Sequence, residues 1–148
     1  YPVIGVSWYE AVAFCNWIGE TTGESIMLPT EQQWQHAAQG GDGRLYPWGN
    51  EWDKTRCNNS SLGLGKTTPV TQFEGLGDSP YGVVDMIGNA WEWSRTSHKT
   101  GDDDLNGTDT RVLRGGSYLL WNNMYCSVRS GYNPNNDGLN GFRCIRTI

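Results

Sequence analysis

Two short patterns limit what this chain can fold into. Ser7-Trp-Tyr-Glu10 and Thr30-Glu-Gln-Gln33 are both capping boxes: a hydroxyl that accepts from the third helical N–H, and an acid or amide that reaches back to the cap. After the first box, Trp8, Ala11, Val12, Cys15 and Ile18 fall on one face of a helix, with Gly19 or Gly23 expected to stop it. After the second, Trp34, Ala37 and Ala38 share a face and Gly40-Gly41 closes the helix. Helical periodicity then ends. Tyr81 to Trp93 reads as a short apolar strand, a Gly turn and an alternating Trp-Glu-Trp, and Arg111–Ser117 and Phe142–Ile148 read as strands. The expectation is a single α+β domain over 1–148, with two helices, a few short strands and much irregular loop. Its eight Trp and 20 Gly fit a core made of a few large rings held by loops.

Residues 42–80 carry no sustained period, and 50–68 are rich in Gly, Asn and Ser. A loop that long in a compact domain needs a function or some organiser other than secondary structure, and a bound ion is one candidate. Tyr46-Pro-Trp-Gly-Asn50 reads as a turn whose aromatic pair caps the core. Residues 97–110 read as an exposed loop, and Asp102-Asp-Asp104 as its solvated tip, because no ligand spacing supports a metal there. A net charge of −5 with no Lys/Arg run argues against a nucleic-acid partner. The apolar runs are too short to span a bilayer. Four cysteines without a CxxC pair, and two distant histidines (His36 and His98), do not make a zinc site of usual spacing. An even cysteine count points to an oxidising compartment; four unrelated buried thiols are the alternative.

Between the last two strand segments lies a window unlike the rest. Tyr118 to Asn140 holds half of the chain's asparagines together with Trp121, Tyr125, Tyr132 and Asp137. Rigid aromatics beside short hydrogen-bonding side chains are what adaptable binding loops use. Firm strands on both sides are how a scaffold presents a variable surface.

Val6-Ser-Trp, Ala11 to Trp17, Leu28-Pro-Thr-Glu-Gln-Gln-Trp34, Tyr46-Pro-Trp-Gly-Asn50, Tyr81 to Trp93, Arg114-Gly-Gly-Ser117 and Gly141-Phe-Arg143 resemble, in order, the formylglycine-generating enzyme (sulfatase-modifying factor) family. The resemblance implies a C-type-lectin-like fold: two helices packed on small antiparallel sheets, with the family's usual N-terminal section missing before Tyr1. The family's oxidases convert a sulfatase cysteine to formylglycine, using a copper-binding cysteine pair after Gly-Gly-Ser. A cuprous ion wants thiolates. Here Gly115 to Cys126 holds one cysteine, and Asn122 and Trp121 stand four and five places before it, so neither copper nor catalysis is expected. The iron-dependent sulfoxide synthases of the family need a His cluster, which two distant histidines do not supply.

Three further expectations come from the resemblance. Cys15 and Cys144 would form a disulfide. A structural calcium would be held by Asp85, Glu92 and the backbone oxygens of Gly88 and Ala90, a hard-oxygen set. A second ion site would use Asn58, Asn59 and an Asp before Thr67-Thr-Pro69, but Leu62 stands near that position. Some proteins of this fold are targets of diversity-generating retroelements, whose adenine-directed mutation rewrites Asn codons in this window. The accessible products include Asn, Asp, Ser, Tyr, Gly and Leu, but not Trp or Met. Trp121 and Met124 would then be scaffold.

The sequence therefore points to a non-enzymatic binding module, at a cell or phage surface or otherwise extracellular, with its ligand face at 119–140. The contact residues would be Trp121, Asn122, Asn123, Tyr125, Ser127, Ser130, Tyr132, Asn133, Asn135, Asn136, Asp137, Leu139 and Asn140. A protein ligand is expected first, a carbohydrate second. The other readings are an oxidase acting on sulfatase-type peptides and a structural domain of a larger surface protein.

Overall fold

The computed structural model describes residues 1–121 and 124–147. Both capping boxes close as expected. Ser7 Oγ accepts from Glu10 N while the Glu10 carboxylate accepts from Ser7 N, opening α1 at Trp8–Thr22. Thr30 and Gln33 make the same reciprocal pair at the start of α2, Glu31–Gln39. Gly23, at φ 72°, ends α1. Gly19 stays inside the helix for another reason: a Cβ there would stand 2.9 Å from the Glu24 carbonyl, where the chain doubles back into β1, Ser25–Met27.

The main sheet has four strands, β2 (Glu92–Ser97), β3 (Arg111–Arg114), β4 (Arg129–Tyr132) and β5 (Gly141–Phe142), in the order β4-β3-β2-β5. β6, Ile145–Thr147, pairs with β1 in a separate two-stranded sheet. Three expectations change here. Tyr81–Val84 is not a strand; the chain from Gly82 to Ala90 is irregular, with Asp85 (φ 54°), Gly88 (φ 81°) and Asn89 (φ 63°) all left-handed. The final segment is not one strand, because Arg143 turns inward to an acid and divides β5 from β6. The main sheet is not purely antiparallel: β5 returns from the window to lie parallel to β2.

Neighbouring residues on the strands show how the helices sit. Trp93 and Leu113 pack with Trp8, Ala11 and Cys15 of α1. Glu92 instead accepts from the indole of Trp34 on α2, and Arg114 stacks over that indole. Adjacent strand residues point to opposite faces, so the helices cover opposite sides of the sheet. Both arginines of β3 are fully buried. Arg111 lies 4.1 Å over the Trp8 ring and donates to the carbonyls of Arg95 and Gly107. Arg114 donates to Glu31, Gln35 and the carbonyls of Cys126 and Ser127, which fastens the middle of the window to α2. Among the described residues, no helix is long and apolar enough to cross a membrane.

The long loop has an organiser, and it is a set of buried carboxamides. Asn59 Nδ2 donates to the carbonyls of Lys54 and Cys57, and its Oδ1 accepts from Ser61 N. Asn58 donates to Lys66 O and Asn89 Oδ1, and Asn89 donates to Thr68 O and Asp85 Oδ2. Side chains here satisfy backbone groups that no helix or strand reaches. Gly88 fits under this loop because it lacks a Cβ, which would stand 2.3 Å from the Asn58 carbonyl.

Candidate functional site

The window is less uniform than its composition suggests. Met124 and Cys126 are buried, and residues 129–132 form β4, the edge strand of the main sheet. Trp121, Ser127, Tyr132, Asn133, Asn135, Asn136, Asp137 and Leu139 are exposed. Trp121 is 65% exposed and lies on the surface among the expected contact residues, whereas Met124, at 1%, is part of the core. Tyr125 is half-buried against Tyr46, with ring centroids 5.3 Å apart, and Ser130 is half-buried opposite Leu113. Asn140 is 5% exposed and drops out of the contact surface; its carbonyl accepts from Gly5 N and fastens the end of the window to the N-terminal segment. Asn133 holds a turn, accepting from the backbone and side-chain N–H groups of Asn135. Asn122 and Asn123 lie outside the described residues.

One neighbour of the window left no trace in the sequence. The His98 ring covers Gly131 of β4, where a Cβ would stand 2.6 Å from it. Any side chain at Gly131 must displace His98.

The residues of the expected calcium site come together. Asp85, Gly88, Ala90 and Glu92 line one cavity of about 210 Å³, with Arg143, Phe142 and Val84 among its other walls. Asp85 Oδ2 accepts from Asn89 Nδ2, and its buried Oδ1 has no partner among the described residues. Burial pushes the Asp85 carboxyl up to about 6 from an ordinary 3.8, against the opposing pull of the Asn89 hydrogen bond. Glu92 is more heavily used. Its Oε2 accepts from Trp34 Nε1 (2.7 Å) and Arg143 Nε (2.6 Å), and its Oε1 from Arg143 Nη2 (2.7 Å). A carboxylate offers about four lone-pair positions, so one on Oε1 remains. The sequence placed Glu92 here; Arg143 belongs to the Gly-Phe-Arg motif, but its partner is set by the parallel return of β5 and was not readable. An orphaned carboxylate oxygen, a second carboxylate with one free position, and turn carbonyls fit a hard cation. Glu92 and Asp85 together outweigh Arg143 by one charge.

The structure sets the cysteines apart by environment. Cys57 packs with Ile87 and Met124, and Cys126 with Trp34, Ala38 and Met86. They lie in separate clusters, and burial pushes both thiols up to about 12. A thiol held protonated is a poor nucleophile and a poor metal ligand. Cys15 and Cys144 behave differently. Their sulfurs stand 3.5 Å apart as free thiols, Cys15 buried and Cys144 exposed. A hydrogen bond from Cys15 draws Cys144 down to about 7 and holds Cys15 up.

Two helices on opposite faces of a small mixed sheet, with loops fastened by side chains, define a C-type-lectin-like α+β scaffold. Its backbone superimposes on the Treponema denticola variable protein 1 with a TM-score of 0.80, covering 97% of this chain and 70% of that one at 24% identity, a likeness of fold alone. The family model for the sulfatase-modifying factor enzyme 1-like domain matches residues 1–148, and the chain belongs to that family. Relatives include the inactive C-alpha-formylglycine-generating enzyme 2 of Bos taurus, 35% identical over 162 residues (97% of this chain, 50% of that protein). The formylglycine-generating enzyme of Bos taurus is also 35% identical, over 172 residues (97% of this chain, 43% of that protein). The chain spans about half the length of these relatives. The chain is equally identical to a relative named as the enzyme and to one named as inactive, so overall likeness does not separate the two and the site must.

Proposed function

We infer that this chain is a non-catalytic, ligand-binding member of the family, presenting the exposed part of residues 119–140 to a protein. The carrying observation is the state of the one thiol in the window. Cys126 is buried against Trp34, with its proton held up to about 12, while Trp121, Ser127, Asn135, Asn136 and Asp137 of the same window are exposed. Trp121 and Tyr132 supply rigid contact area, with Ser127, Asn135, Asn136 and Asp137 as directional partners. An extracellular, cell-surface or phage-surface setting belongs to the same reading.

Two experiments test it. The domain is incubated with cuprous ion, oxygen and a cysteine-containing sulfatase-type peptide, and the peptide is weighed; no aldehyde is expected, and turnover would overthrow the non-catalytic reading. Sequencing the gene's window codons across a natural population is expected to show substitutions gathered at adenines between Tyr118 and Gly141. An invariant window would remove diversification and leave a binder of one fixed ligand.

Calcium at the Asp85 cavity is part of this proposal, as a brace for the Gly turn. At a calcium concentration about 100 times its dissociation constant, folding is expected to gain about 2.7 kcal/mol, and Asp85→Ala to abolish that gain. The pH dependence has a definite sign. Because the folded, metal-free carboxyl titrates near 6 and the unfolded one near 3.8, its bound proton stabilises the fold fully below the lower value, and that contribution fades as pH rises through the higher one. Calcium needs the carboxylate. Thermal unfolding with calcium and with chelator should therefore differ about half as much at about pH 5 as above about pH 7. An equal shift at both pH values, or one that survives Asp85→Ala, would place calcium elsewhere.

A further inference from the structure

We propose that the groove beside the Tyr46–Asn50 turn, outside the window, is a second binding site and takes a neutral saccharide. Trp48 stacks on Tyr46 with ring centroids 5.4 Å apart and planes 6° off parallel. Its indole N–H donates to the Glu51 carbonyl, so the ring is held both by its face and by its edge. Tyr46 is buried and is wedged further by Trp52 and Tyr125. Trp48 is only half-buried, and its remaining surface lines a groove of about 260 Å³ with Asn50, Glu51, Asp53 and Arg56.

This is a rigid aromatic platform with polar groups at its rim. The C–H face of a pyranose carries the positive polarisation that the negative face of an indole attracts. A few placed polar groups then fix the orientation. The Glu51 carboxylate has no partner among the described residues and is free to accept sugar hydroxyls. Asn50 uses its Oδ1 on Leu45 N, which leaves its amide N–H groups to donate. Arg56 is already committed to Asp53 (3.2 Å) and to the Leu76 carbonyl. Two acids against one engaged cation repel phosphate, sulfate and carboxylate ligands, which is why the ligand is neutral. The groove is smaller than the ~300 Å³ at which drug-sized pockets begin; it suits a sugar ring rather than a loop of a folded partner. This proposal does not depend on the window reading.

The test is a titration of the folded domain with cellohexaose, maltohexaose and chitohexaose, followed by tryptophan fluorescence and by the Trp48 indole N–H resonance. At least one should move that resonance saturably. Glu51→Ala, an exposed change that leaves the Tyr46 stack intact, should weaken binding about tenfold or more, and Trp48→Ala should abolish it. Circular dichroism in the aromatic region separates a misfolded Trp48 variant from a folded non-binder, and the Glu51 variant carries the result if Trp48→Ala fails to fold. The proposal falls if none of the three saccharides moves the Trp48 resonance, or if binding persists undiminished in Glu51→Ala.

Discussion

Glu92→Ala is expected to cost about 3 kcal/mol of folding stability, the low end of the loss caused by removing one partner of a buried ion pair. Three donors lose their acceptor at once: Arg143 through two nitrogens and Trp34 through its indole N–H. The low end applies because Arg143 keeps 24% of its side chain exposed, so water relieves part of the stranded charge. For a chain of this length the loss corresponds to a melting temperature roughly 10 °C lower. The mechanism has its own signature. Removing both charges, as in Glu92→Leu with Arg143→Leu, should cost less than Glu92→Ala alone, since no unpaired ion is then left inside. Urea unfolding of the wild type and the two variants decides it; a double variant no less damaged than Glu92→Ala would mean that the pair is not what joins β2, β5 and α2.

The second large effect is oxidation of Cys15 with Cys144. The sulfurs already face each other at 3.5 Å across 129 residues of sequence, and the exposed Cys144 is drawn towards its thiolate, the form that attacks in thiol–disulfide exchange. Closing so long a loop is worth up to about 4 kcal/mol in the chain-entropy picture. Mild oxidation should remove two hydrogens by intact mass, raise the urea midpoint, and leave Cys57 and Cys126 unlabelled by alkylating reagents in the folded protein. Cys144→Ser should show no redox dependence. If the native protein stabilises no further on oxidation, the pair remains a thiol contact and the case for an oxidising compartment loses its main support.

These effects fall where local chemistry and tertiary contact meet. The helices were legible because a capping box is closed by residues three apart. Gly23 stops α1 by its left-handed φ, a property that glycine carries into any context. The family motifs were legible as well, and with them the four residues that now line the Asp85 cavity. The Tyr81–Val84 stretch misled because apolar pattern alone reads as a strand. The backbone there instead turns left-handed at Asp85, where the Asn58–Asn89 network fixes it, and that network joins residues 31 positions apart. Composition misled at the window too. Asn140 looks like a contact residue and is buried under the N-terminal segment.

What the sequence determined by itself is the set of interactions that close within a few residues: caps, helix stops and the Gly turn. What only the tertiary structure decided is which distant groups meet. It brought Arg143 to Glu92, Cys15 to Cys144, His98 over Gly131 and Tyr125 onto the Tyr46 stack. No periodicity encodes these meetings, because each depends on a chain return whose cost is entropic and whose reward is the burial of the whole core.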